Sequence, residues 1–161
     1  MTDVVADLAA VLRGTAPEVL RARREAGLWS PLEYACHVRD VLLVQRERVL
    51  AGRRVDGYVC EPMGRDERVE HDGYAEQEAG DVARQLSDAA LMFANVLDRL
   101  APGDWERTVQ YSYPEPTWRS LRWVARHTAH EVRHHLLDIR RQLPVPVVDD
   151  RGPVAPGTAG G

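Results

Sequence analysis

The chain has no lysine: all 21 basic residues among its 161 are arginine. That excludes a Schiff-base lysine, a phosphate-loop lysine and a lysine general base. Aromatic and β-branched runs are scarce, with one Phe and one Ile. Leu, Val and Ala must therefore build the core, which favours helix over sheet. Two cysteines, Cys36 and Cys60, are too few for a disulfide framework. No apolar run approaches ~18 residues, so no membrane span is expected. The start, MTDVVADLAAVL, lacks the basic residues and cleavage site of a signal peptide, and the expected location is the cytoplasm. A net charge of −4, with arginines scattered among acids, argues against a protein that works by neutralising nucleic-acid phosphates.

What is present is helical periodicity. Val4, Val5, Leu8, Val11 and Leu12 recur at helical spacing over 2–13, and Gly14 follows. A short helix is expected over 15–26, with Pro17 in its first turn. Trp29-Ser30-Pro31-Leu32-Glu33 is a start signal: Ser30 caps, Pro31 takes the first helical position and Glu33 closes a capping box. That helix is expected to reach about Ala51, with Gly52 after it. Residues 52–73 read as a long irregular connection of the kind that often carries function. Another helix is expected over 74–100, an irregular segment over 103–116, and a last helix from a Thr117 cap to about Leu143. Residues 144–161, rich in Pro and Gly, are expected to be a disordered tail. The expectation is an all-α four-helix bundle over 1–143 with long connections, an architecture that builds metal and ligand sites from facing helices.

Four of the six histidines, His127, His130, His134 and His135, fall in the last helix. On a helical wheel His135 lies roughly 50° and Glu131 roughly 90° from the centre of the apolar arc, whereas His134 and His130 lie roughly 150° and 170° away. Two pairings compete as metal ligands, His130 with His134 and Glu131 with His135; the wheel favours the second because it faces inward. A buried glutamate is costly without a partner or cation. The best third candidate is His37, two turns into the 31–51 helix, on a stripe with Tyr34, Val41 and Val44. Two His and a carboxylate suit catalytic zinc, non-haem iron or nickel. His127 and Asp138 flank the inner pair, and Asp138 can fix the His135 tautomer. Cys36 is expected in the core, Cys60 in a loop and exposed, Trp29 as a core plug, and His71 at the surface. Trp118, Trp123, Tyr111 and Tyr113 are expected to pack as aromatics or line a pocket. Arg53, Arg54 and Arg65 are candidates for holding an anionic substrate.

The pattern Trp29-Ser30-x-x-Glu33-x-x-x-His37, together with His134-His135-Leu136-x-Asp138-Ile139, resembles the DinB-like superfamily of four-helix-bundle metalloproteins. With His135 matched to the family's last ligand, the position four earlier is Glu131. That set is similar to the His, Glu, His of the mycothiol-dependent maleylpyruvate isomerases. The resemblance implies a divalent metal on His37, Glu131 and His135, with zinc first and nickel or iron as alternatives. It also implies a homodimer, a low-molecular-weight thiol such as mycothiol as cosubstrate, and thiol transfer to, or isomerisation of, a small electrophile. The contrasting expectation is a non-catalytic metal- or small-molecule-binding bundle, serving as a stress-response or biosynthetic accessory protein.

Overall fold

The structure, a computed structural model, describes residues 1–112 and 115–144. The predicted tail from residue 145 onward, and Tyr113, lie outside the described residues. Four long helices dominate: α1 (Thr2–Gly14), α3 (Pro31–Arg54), α5 (Ala79–Leu97) and α6 (Leu121–Gln142). Two short helices, α2 (Pro17–Arg21) and α4 (Arg65–His71), sit in the connections, with strands β1 (Tyr58–Val59), β2 (Thr108–Tyr111) and β3 (Thr117–Ser120). The extensive helix contacts are α3 with α5, α1 with α5, and α3 with α6; a smaller α1–α6 contact closes the ring. The core between them is Leu- and Val-rich, with Phe93 and Ile139 fully buried. No helix among the described residues is long and apolar enough to cross a membrane.

The start of α3 is built as its sequence predicts. Ser30 Oγ accepts from the Glu33 amide at 3.3 Å, and the Ser30 amide donates to Glu33 Oε2 at 2.7 Å. Arg23 adds an ion pair to the same carboxylate. The end of α3 differs from expectation. The helix runs on to Arg54, and Gly52 lies inside it. A Cβ at Gly52 would stand 2.7 Å from Val109 Cγ1 and 2.8 Å from a Leu121 methyl. The glycine therefore serves close packing, not helix termination.

The connections are more ordered than their composition suggests. The expected 15–26 helix shrinks to α2. The 52–73 segment holds β1 and α4. The 74–100 helix divides into a 3₁₀ turn at Tyr74–Glu76 and α5. Thr117 does not cap α6 but opens β3, and Ser120 is the cap, accepting from the Trp123 amide at 3.2 Å. The reason is pairing. Thr108-Val109-Gln110-Tyr111 alternates half-buried and buried residues and pairs antiparallel with Thr117–Ser120, Tyr111 opposite Thr117. β1 joins on the other side in parallel. Cross-strand partners lent by the fold make strands of segments too short to signal them alone. The small sheet leaves Tyr111 7% exposed, directed into the molecule.

Candidate metal centre

A cavity of about 630 Å³ opens between α3 and α6, and His37, Glu131, His135, His127 and Asp138 all line it. The inward stripe of α3 supplies His37, and three residues at four-residue spacing on α6, His127, Glu131 and His135, supply the facing wall. The His37 and His135 rings meet edge-on, centroids 5.0 Å apart. His135 Nε2 stands 3.6 Å from Glu131 Oε2. That is long for a hydrogen bond, yet close to the ~3.4 Å edge of a tetrahedron with ~2.1 Å metal–ligand bonds. On the ring's other side, His135 Nδ1 lies 3.3 Å from Asp138 Oδ2. Either ring nitrogen can carry the donated proton, Nδ1 toward Asp138 or Nε2 toward Glu131.

Burial and neighbouring groups set the protonation of His37, Glu131 and His127. His37 is 6% exposed and its Nδ1 is buried with no hydrogen-bond partner. Burial, reinforced by His135, lowers its pKa to about 4, so the imidazole is neutral at pH 7. Glu131 is held below the usual carboxylate range by its polar contact with His135, against burial, with His127 helping. His127 is lowered by burial, stacks on Trp123 at 4.5 Å and lies 3.9 Å from Glu131 Oε1. His37, Glu131 and His135 bring nitrogen and oxygen donors of the kind a divalent cation takes to one cavity wall, where the buried Nδ1 of His37 has no hydrogen-bond partner.

A second grouping shares His135. Among the described residues, His134, His135 and Asp138 bring three ligand atoms within 4.8 Å of one another. Its His134 side chain is 53% exposed, and Asp138 also pairs with Arg141. His130 is exposed and stacks parallel to His134 with centroids 6.1 Å apart. The inward and outward halves of the helix are thus as the wheel divides them.

Other expected residues fall on both sides. Cys36 is core, its thiol pushed up to about 12 by burial. Cys60, expected to be exposed, is only 3% exposed, because β1 docks it against the core. Trp29 is a half-buried cavity wall instead of a core plug, its ring 5.1 Å from His37. His71 is at the surface. Trp118 is 52% exposed, while Trp123 packs on Tyr111. Of the three arginines suggested for an anion, only Arg65 lines the cavity; Arg53 pairs with Asp104 and Arg54 faces another groove. Tyr111, expected to pack or line a pocket, does both, and the residues missed are Gln45 and Arg48, also on the cavity wall. Extending the His37–Val41 stripe by one and two further turns would have reached Gln45 and Arg48.

Comparison with known proteins agrees with this architecture. The family model of the DinB superfamily matches residues 2–139, and the chain belongs to that superfamily. No curated protein sequence matches it. Among solved structures it is similar to YfiT from Bacillus subtilis, with a TM-score of 0.70, 13% identity, and coverage of 88% of this chain and 84% of that one. YfiT is described as a probable metal-dependent hydrolase with an unusual four-helix bundle topology. At that identity the likeness establishes the fold alone.

Proposed function

We propose that this protein is a divalent-metal-dependent enzyme whose cation is held by His37, Glu131 and His135 and whose substrate is a small electrophile bound in the adjoining cavity. One observation carries the reading: two imidazoles and a carboxylate from facing helices converge on an open cavity wall, and a buried nitrogen of His37 lacks any partner. A cation so held supplies a strong nucleophile at neutral pH by lowering the pKa of a coordinated water or thiol. Zinc is the expected metal, with nickel or iron as alternatives.

The chain's own residues divide the remaining work. Asp138 orients His135 through Nδ1. Trp29 and Tyr34 pack against the His37–His135 pair, their rings 5.1 Å from His37 and 5.2 Å from His135, and fix the two imidazoles in place. His127, neutral at pH 7 and beside Glu131, is placed to take up a proton at Nε2. Thiol transfer or thiol-assisted isomerisation, with a low-molecular-weight thiol such as mycothiol, is the proposed reaction. Hydrolysis is the second reading, favoured by the description of YfiT. The open cavity supports an enzyme over a purely structural metal site, which would be closed by protein ligands. A homodimer is also proposed, supported by the exposed Leu91 and Met92 on α5; sedimentation giving only monomer would exclude it.

Elemental analysis of the purified protein is the first test, followed by zinc and nickel titrations. About one metal per chain is expected, lost in Glu131→Ala and His135→Ala. Absence of both resident metal and titratable binding would sink the reading. Thiol-transfer and hydrolysis screens of the metal-loaded protein then separate the two reactions.

A further inference from the structure

Away from His37, the cavity wall contains a buried positive charge without a counter-charge. Arg48 is 7% exposed and lines the cavity. Its Nη2 donates to the Glu61 carbonyl at 2.6 Å, and its guanidinium lies 4.9 Å from the Tyr111 ring centroid. It makes no ion pair with a described carboxylate, unlike buried Asp40, whose carboxylate two arginines share. A guanidinium carries five N–H donors; the Glu61 carbonyl takes one and the Tyr111 hydroxyl makes a further polar contact with the group, which leaves donors for a ligand. Beside it Gln45, 3% exposed, donates from Nε2 to Tyr111 Oη at 2.6 Å, while its Oε1 is buried without a partner. With the amide turned over, Tyr111 would donate to Oε1 and the NH₂ would be free to donate alongside Arg48. In either orientation one polar end of Gln45 is unfilled.

Buried charges and buried polar atoms persist where something satisfies them. The geometry points to a carboxylate-binding subsite formed by Arg48, Gln45 and Tyr111, which makes the ligand of this cavity a small carboxylic acid. The planar guanidinium matches a carboxylate's two oxygens, and the Tyr111 ring holds its plane. His37, Val41, Gln45 and Arg48 follow one another along one stripe of α3. Gln45 lies eight residues beyond His37, ~12 Å along the axis. Helical side chains lean toward the N-terminus, so Gln45 and Arg48 reach back toward His37. A ligand anchored by its carboxylate at Arg48 would extend its other end toward the His37–Glu131–His135 cluster. The catalytic use of this subsite rests on the proposed metal reading; binding of the carboxylate does not.

The test uses full-length protein stripped of metal, so that no cation can hold the probe. Hexanoate and hexanamide are titrated by NMR into the wild type, Arg48→Met and Arg48→Lys, with thermal unfolding as a check on folding. The wild type should bind hexanoate at least tenfold more tightly than hexanamide. Arg48→Met should lose that preference and Arg48→Lys should retain part of it. Equal affinity for acid and amide in the wild type overturns the subsite, whether or not the variants fold. So does a preference that survives in a folded Arg48→Met protein. A parallel zinc titration separates the two ideas. Acid preference without zinc binding leaves the subsite standing and removes the metal reading; zinc binding without acid preference does the reverse.

Discussion

Helix α3 carries two polar clusters three residues apart in sequence, and they are built in opposite ways. On one side Asp40 is fully answered. Its Oδ1 accepts from Arg39 Nε at 2.7 Å, and its Oδ2 accepts from Tyr74 Oη at 2.6 Å and Arg68 Nη1 at 3.2 Å. On the other side His37 has a buried nitrogen with no partner and faces a second imidazole. Both residues are nearly inaccessible, at 4% and 6% exposure, so burial alone does not separate structure from function. Satisfaction does. The Asp40 cluster ties α3 to α4 and the 3₁₀ turn and leaves no donor set for a ligand, whereas the His37 cluster leaves ligand atoms facing a cavity.

The contrast can be broken from either side. The largest effect is expected at Asp40. Replacing it with Ala takes the acceptor from Arg39 Nε and from the buried Tyr74 hydroxyl and should cost about 3–5 kcal/mol in urea unfolding; a loss below ~1 kcal/mol would show the cluster to be ornamental. Next is His135→Ala, expected to weaken zinc binding by more than about 100-fold while the chain stays folded. Asp138→Asn should weaken it by about 10- to 100-fold through the His135 ring. Under the same reading His134→Ala changes zinc affinity very little, whereas loss of zinc in that variant would move the site to the His134–His135–Asp138 group. Ser30→Ala, which removes the α3 cap, should cost about 1 kcal/mol without changing metal content.

The smallest effect is the acid limb of stability. Burial would raise the Asp40 carboxyl, but the hydrogen bonds from Arg39 and Tyr74 and the charges of Arg39 and Arg68 outweigh it and hold the pKa below the ordinary 3.8. Its stabilisation is therefore complete above that ordinary value and is lost as pH falls through the lower folded-state value. Asp40→Asn should flatten the pH dependence of unfolding below pH ~4 relative to wild type. An unchanged acid limb would show that other carboxylates set it.

Much of this was legible in one dimension because helices write their burial in their spacing. The α3 cap, the four long helices and the inward turn of Glu131 and His135 all follow from local chemistry or a period of ~3.6 residues. The segments 52–73 and 103–116 were not legible, because strands of two to four residues acquire their pairing from distant partners. That is why Cys60 proved buried and why Thr117 proved to be a strand residue.

By itself, then, the sequence determined the bundle, the cap of α3 and which face of α6 turns inward. Each of those depends on residues within a few turns of one another. Only the tertiary structure decided that His37 stands across from His135 and that Asp138 rather than Glu131 touches Nδ1 of His135. It alone placed Tyr111 over Arg48 to complete the cavity wall. Those relations depend on the docking of α3 against α6 and on the strand that places Tyr111 between them, distances that no periodicity along the chain encodes.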